Sequence, residues 1–128
     1  MQGEVISGLG KGMHFVSIEE YRAQFVNALG IDAYPGTLNL KAHEKSLRDL
    51  ESLKAGRGIM ISGFRKAGRM FGSVKAFRAE IEGIRCAFII PERSEHTGVF
   101  EIIANKNLRE ELSLKDGTSV EVKIALDE

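Results

Sequence analysis

The sequence predicts a mainly β fold, a small closed or nearly closed β-barrel of about six or seven strands with two or three short inserted helices. Three observations predict it. Short apolar runs alternate with polar residues at period two, the pattern of half-buried strands. Fourteen glycines in 128 residues fit tight corners between those runs. The strand–helix–strand alternation that a parallel sheet needs is missing.

Residues 3–7 read as the first strand and 8–14 as a loop. Ser17-Ile18-Glu19-Glu20 has the form of a capping box, with Ser17 as N-cap and Glu20 three residues on. The helix behind it carries Tyr21, Phe25, Ala28 and Leu29 on one stripe and stops at Gly30. A Pro35-Gly36 turn opens into a strand over 37–41. Leu47, Leu50 and Leu53 mark a short helix that ends at Ala55-Gly56. Strands over 58–64 and 70–81 flank a basic turn, Arg65-Lys66-Ala67-Gly68-Arg69. Glu82-Gly83 makes a two-residue hairpin into a strand over 84–90. A polar loop over 91–98 and a strand over 99–104 follow. Asn107 caps a short helix over 107–112, with Glu110 at the box position. Asp116-Gly117 turns the chain into a last strand over 118–126, where Val120, Val122 and Ile124 alternate with charged residues.

The length predicts one domain over residues 1–128, without repeat, linker or low-complexity segment. Hydrophobic residues at 43% and charged residues at 28% belong to a globular chain. Eighteen Lys and Arg balance eighteen Asp and Glu, so no net basic field drives binding to nucleic acid. A single cysteine, Cys86, excludes an intrachain disulfide framework and suits a reducing cytoplasm; it sits in an apolar run and reads as a buried thiol. No signal peptide and no membrane-length apolar run is found, so a cytoplasmic protein without a membrane partner is expected.

Thr37-Leu38-Asn39-Leu40 carries the sharpest chemistry. Side chains of a strand alternate, so Leu38 and Leu40 share one face while Thr37 and Asn39 share the other. A hydroxyl and an amide oxygen held together suit a hard cation such as Mg²⁺, which takes phosphate oxygens as further ligands; a polar strand face beside a turn has the same pattern. Gly8-Leu9-Gly10-Lys11-Gly12-Met13 sets glycines at every second position, where backbone N–H groups can approach an anion and Lys11 adds charge. It is neither a dinucleotide fingerprint nor a Walker loop, and a hairpin corner has the same composition. Lys106-Asn107-Leu108-Arg109 opens a helix, whose N–H groups and flanking cations fit a phosphate or a solvated turn. Glu101, between Phe100 and Ile102, is either a carboxylate for a polar ligand, with base chemistry within its range, or an outward strand residue. His14, His43 and His96 lack the spacing of a transition-metal site.

The order of these motifs is more specific than any one of them. The series 5–12, 35–40, Phe71-Gly72-Ser73-Val74-Lys75, Pro91-Glu92-Arg93-Ser94, Glu101-Ile102-Ile103-Ala104, Leu108-Arg109-Glu110 and Leu114-Lys115-Asp116-Gly117 resembles the archaeal CTP-dependent riboflavin kinases over nearly the whole chain. The resemblance implies a cradle-loop barrel that phosphorylates riboflavin to FMN with CTP, leaving CDP. Some members of that family carry an N-terminal winged-helix domain, and none is expected here. The resemblance implies that Gly8 to Met13 wrap the nucleotide, that Lys106, Asn107, Leu108 and Arg109 form a second nucleotide contact, that Thr37 and Asn39 bind Mg²⁺, and that Ser94 and Glu101 contact the flavin. Ser94 stands where the family has threonine, the 94–101 loop is one residue shorter, and His14 replaces a tyrosine. Phosphoryl transfer needs positioning and charge neutralisation, which these parts suit. The rival readings are a DNA-binding barrel of the regulator type and a kinase using another NTP. No protein partner is implied.

Overall fold

A computed structural model describes residues 1–7, 18–92 and 98–125. The strands are β1 (Gln2–Ile6), β2 (Leu38–Ala42), β3 (Ile59–Ile61), β4 (Phe64–Lys66), β5 (Arg69–Phe71), β6 (Val74–Ile81), β7 (Ile84–Pro91), β8 (Val99–Ala104), β9 (Ser119–Glu121) and β10 (Lys123–Ile124). The helices are α1 (Glu19–Leu29), α2 (Leu47–Ala55), entered through a 3-10 turn at Glu44–Ser46, and α3 (Leu108–Glu111). The fold is mainly β, as the sequence predicts.

One sheet runs in the order β10-β6-β7-β8-β2-β1-β9, with β3 on β6, and every ladder is antiparallel. Its two end strands are consecutive in the chain, separated only by Val122. One terminal segment therefore pairs with β1 through its first half and with β6 through its second, and the sheet has to curl for this to happen. Val122 itself is fully buried and donates its N–H to the carbonyl of Met1 at 2.7 Å. The ladder stops at that residue, so the expected barrel is approached by the curl and not completed by continuous pairing.

The alternation of strand faces splits the apolar side chains into two layers. Leu38, Leu40, Phe88, Phe100 and Ile102 lie in one cluster. Ile61, Ala76, Ala87, Ile89 and Ile103 lie in the other, covered by Tyr21, Phe25 and Leu29 of α1. The predicted stripe of α1 is therefore real, and Gly30 ends the helix in the left-handed region at φ 70°. The N-cap is Ile18, whose carbonyl accepts from Tyr21 and Arg22. The predicted cap, Ser17, lies outside the described residues, and Glu20 pairs instead with Lys66 at 3.0 Å.

The basic segment differs from expectation. Arg65 and Lys66 belong to β4, and only Ala67 and Gly68 turn, at φ 51° and 77°. Two positive φ values match the twist of a two-residue hairpin. Phe64 and Phe71 stack across it at 4.9 Å, and Tyr21 closes on Phe64 at 4.8 Å. The Tyr21 hydroxyl donates to the carbonyl of Gly72 at 2.6 Å, near the break between β5 and β6. The predicted Glu82-Gly83 hairpin is present, with Ile81 opposite Ile84.

Candidate active site

The site starts from register. Leu38 pairs with Ile102, Asn39 with Glu101 and Leu40 with Phe100. Directly paired residues share a face. Leu38 and Leu40, 5% and 0% exposed, anchor β2 in the core, which turns Asn39 and Glu101 to the α1-covered side, the side of Ile89 and Ile103. Thr37, one residue before β2, donates its hydroxyl proton to Oε1 of Glu101 at 3.0 Å. The predicted pair and the predicted flavin-side glutamate thus form one cluster.

Asn39 Oδ1 is buried and has no hydrogen-bond partner among the described residues. An acceptor left so costs about 1–3 kcal/mol, which a ligand can offset. A hydroxyl oxygen, an amide oxygen and an adjacent carboxylate form an all-oxygen donor set of the kind Mg²⁺ takes. The described residues contain no cluster of three His, Cys, Asp or Glu side chains, so the fit rests on Thr37 and Asn39.

Thr37 also borders a second wall. A small cleft of about 150 Å³ is lined by Tyr34, Pro35, Thr37, Ala104, Lys106 and Arg109, among others. The Tyr34 N–H donates to the carbonyl of Ala104 at 2.7 Å, and that of Asp32 to Oδ1 of Asn105 at 2.9 Å. These bonds fasten the segment approaching Thr37 to the turn that carries Lys106. At α3 the predicted cap is found: Asn107 accepts from the N–H groups of Arg109 and Glu110. Two of the N–H groups that would have faced an anion are therefore already used. Leu108 is buried and holds the turn down. Lys106 pairs with Glu111 at 3.5 Å.

Arg109 shows a connection that the sequence reading missed. It donates through Nη2 to Asp116 at 2.9 Å and through Nη1 to the hydroxyl of Ser7 at 3.4 Å; Ser7 in turn donates to Asp116. The Ser7 hydroxyl, and next the Arg109 guanidinium, hold the Asp116 carboxyl below its ordinary range. Gly117 donates to the carbonyl of Val5 at 2.8 Å, which ties this turn to β1. Ser7 immediately precedes Gly8, so the root of the glycine segment meets the second cationic segment. An Asp-Gly pair reads as a turn in sequence, and no local pattern reveals its partners.

The glycine segment, Gly8 to Met13, lies outside the described residues, as do Ser94, His14 and His96. Glu92 donates its N–H to the Ser73 carbonyl at 2.9 Å, and the Gly98 carbonyl accepts from the Ala42 N–H at 2.8 Å. Cys86 is buried, and desolvation pushes its thiol up to about 12, so it is inert at neutral pH. The His43 ring shares a hydrogen bond with the hydroxyl of Ser119 at 3.2 Å. A larger cleft of about 930 Å³, lined by Leu53, Arg57, Phe77, Val122 and Lys123 among others, shares no residue with the oxygen cluster. No helix among the described residues is long and apolar enough to cross a membrane.

On this mainly β fold the Thr37–Asn39–Glu101 oxygen cluster thus lies beside the cationic turn of Lys106 and Arg109. The chain matches the model of the CTP-dep_RFKase family, described as the domain of unknown function DUF120, over residues 5–124, and it belongs to that family. It is 48% identical over 122 residues to a riboflavin kinase of Thermoplasma acidophilum, covering 95% of this chain and 56% of that protein. It is 46% identical over 127 residues to a riboflavin kinase of Archaeoglobus fulgidus, covering 98% and 54%. A riboflavin kinase of Pyrobaculum aerophilum is 47% identical over 125 residues, covering 97% and 60%. The chain thus spans about half to three fifths of the length of these curated relatives.

Proposed function

We propose that this chain is a CTP-dependent riboflavin kinase, transferring the γ-phosphoryl group of CTP to the 5′-hydroxyl of riboflavin to give FMN and CDP. The observation that carries the reading is the Thr37–Asn39–Glu101 cluster, with Asn39 Oδ1 buried and unpartnered. Membership of the family and the names of the relatives support the reaction. The choice of CTP rests on the family's name.

In this reading Thr37 and Asn39 hold Mg²⁺ through their side-chain oxygens. When bound, the ion supplies positive charge against the terminal phosphates. Gly8, Leu9, Gly10, Lys11, Gly12 and Met13 wrap the nucleotide from the end of β1. Lys106, Asn107, Leu108 and Arg109 form the opposite nucleotide contact, with Asn107 and Leu108 fixing the turn and the two cations exchanging part of their present ion pairs for phosphate. Ser94 and Glu101 orient riboflavin. Its 5′-oxygen attacks phosphorus, the bond from phosphorus to the β–γ bridging oxygen breaks, CDP leaves, and the hydroxyl proton is lost. Glu101 is the carboxylate available to accept that proton. A buried free thiol suits a reducing cytoplasm as the working compartment.

The test is direct. Incubate the protein with riboflavin, Mg²⁺ and each of the four ribonucleoside triphosphates, and follow FMN by chromatography. FMN formed with CTP well above the other three is expected. FMN formed equally from ATP would retire the cytosine preference, and no FMN with any triphosphate would retire the kinase.

A further inference from the structure

The hydrogen bond from Thr37 to Glu101 has a consequence for the oxygen beside it. A threonine hydroxyl has one proton and two lone pairs. A cation needs a lone pair directed at it, so the proton must point elsewhere. Thr37 and Asn39 lie two residues apart on one face, and Asn39 offers a carbonyl oxygen that is a natural acceptor. Were the Thr37 proton given to Asn39, the two ligand oxygens would satisfy each other. Instead the proton goes to Glu101, 3.0 Å away, and Asn39 Oδ1 stays buried without a partner among the described residues. A carboxylate is the stronger acceptor, which explains the choice. Register supplies the geometry: Glu101 sits opposite Asn39, within diagonal reach of Thr37.

We infer that Glu101 is a positioning residue for the cation pair, drawing the Thr37 proton away so that neither ligand oxygen is taken up by the other. This deepens the kinase reading and rests on its Mg²⁺ site. It gives Glu101 a task that exists before riboflavin arrives and that depends on hydrogen-bond acceptance more than on charge.

The experiment uses Mn²⁺ as probe, titrated into the full chain with CDP and without riboflavin, free Mn²⁺ being followed by its electron paramagnetic resonance signal. Wild type is compared with E101Q, E101A, T37V and the double variant T37V/E101A, each checked for folding by circular dichroism and thermal melting. The inference expects E101A to weaken Mn²⁺ binding about 10-fold or more, the usual cost of losing an outer-shell partner. T37V should match it, and the double variant should be little worse than either. E101Q retains an acceptor oxygen and should stay within roughly threefold of wild type, on the same hydrogen-bond ground. Wild-type binding by E101A overturns the inference alone. Equal losses in E101Q and E101A overturn it too, because charge and not acceptance then matters. Absence of Mn²⁺ binding by the wild type with CDP overturns the inference, while the kinase reading stands or falls separately on FMN formation.

Discussion

Two regions meet at Thr37 and differ in how they are held. On the β2–β8 side, Asn39 and Glu101 stand on a ladder backed by buried Leu38, Leu40 and Ile102, with Thr37 one residue before it, and one oxygen is kept without a partner among the described residues. On the α3 side, Arg109 stands on the first turn of a four-residue helix and Lys106, Ser7 and Asp116 lie outside strands and helices, the side chains of Arg109 and Asp116 are 37% and 62% exposed, and each cation already has a carboxylate. The first region is preorganised, with its cost paid at folding. The second is neutralised and must exchange partners to bind anything. Exposed pairs contribute little and are screened by salt, whereas groups held in a buried ladder are screened much less. The two walls should therefore fail in different ways.

The largest expected effect lies on the ladder. Asn39→Leu and Thr37→Val should each lower kcat for riboflavin phosphorylation by about 10²-fold or more, the worth of one preorganised electrostatic contact. The double variant should be little worse, because both residues serve one ion. Rates measured across a Mg²⁺ titration decide it; wild-type rate and Mg²⁺ dependence in both single variants would place the metal elsewhere and erase the contrast.

Glu101→Gln sharpens the same side. A positioning and flavin-orienting Glu101 predicts a raised riboflavin KM with kcat reduced less than about 10-fold. A general base predicts a kcat loss of roughly 10²- to 10⁴-fold instead. Steady-state kinetics with riboflavin varied at saturating CTP separate them.

On the exposed side, Arg109→Ala should raise the KM for CTP only about two- to fivefold, the worth of an exposed charge contact, and added salt should shrink the difference. A salt-independent, hundredfold loss would show that this wall is as preorganised as the other.

The smallest effect concerns Asp116. Its carboxyl is held below the ordinary value of 3.8 by Ser7 and Arg109. A lowered folded pKa contributes stability above the unfolded value, lost as pH falls through the folded one. Wild type should therefore melt slightly above Asp116→Asn at pH 7, and the gap should close in acid. A gap that widens in acid would contradict the ion pairing.

Local signals were legible in the sequence. Asn107 caps α3 because a side-chain cap needs only the next few residues. Glu82-Gly83 turns because its two positive φ values are a local demand. The shared face of Thr37 and Asn39 follows from strand alternation alone. The basic turn is shorter than its composition suggests because Arg65 and Lys66 become strand only through pairing with Met70 and Arg69 and packing of Phe64 and Phe71 on Tyr21.

By itself, then, the sequence determined a mainly β chain, the α1 stripe and the hydroxyl–amide pair at 37 and 39, since each follows from periodicity or from chemistry within a few residues. Tertiary structure decided that Glu101 faces Asn39 and takes the Thr37 proton, and that Ser7 and Asp116 join Arg109 across 102 and 7 residues. The reason is register. Which residues stand opposite one another depends on how distant strands align in a curled sheet, and that alignment is set by the burial of Leu38, Leu40, Phe100 and Ile102 together.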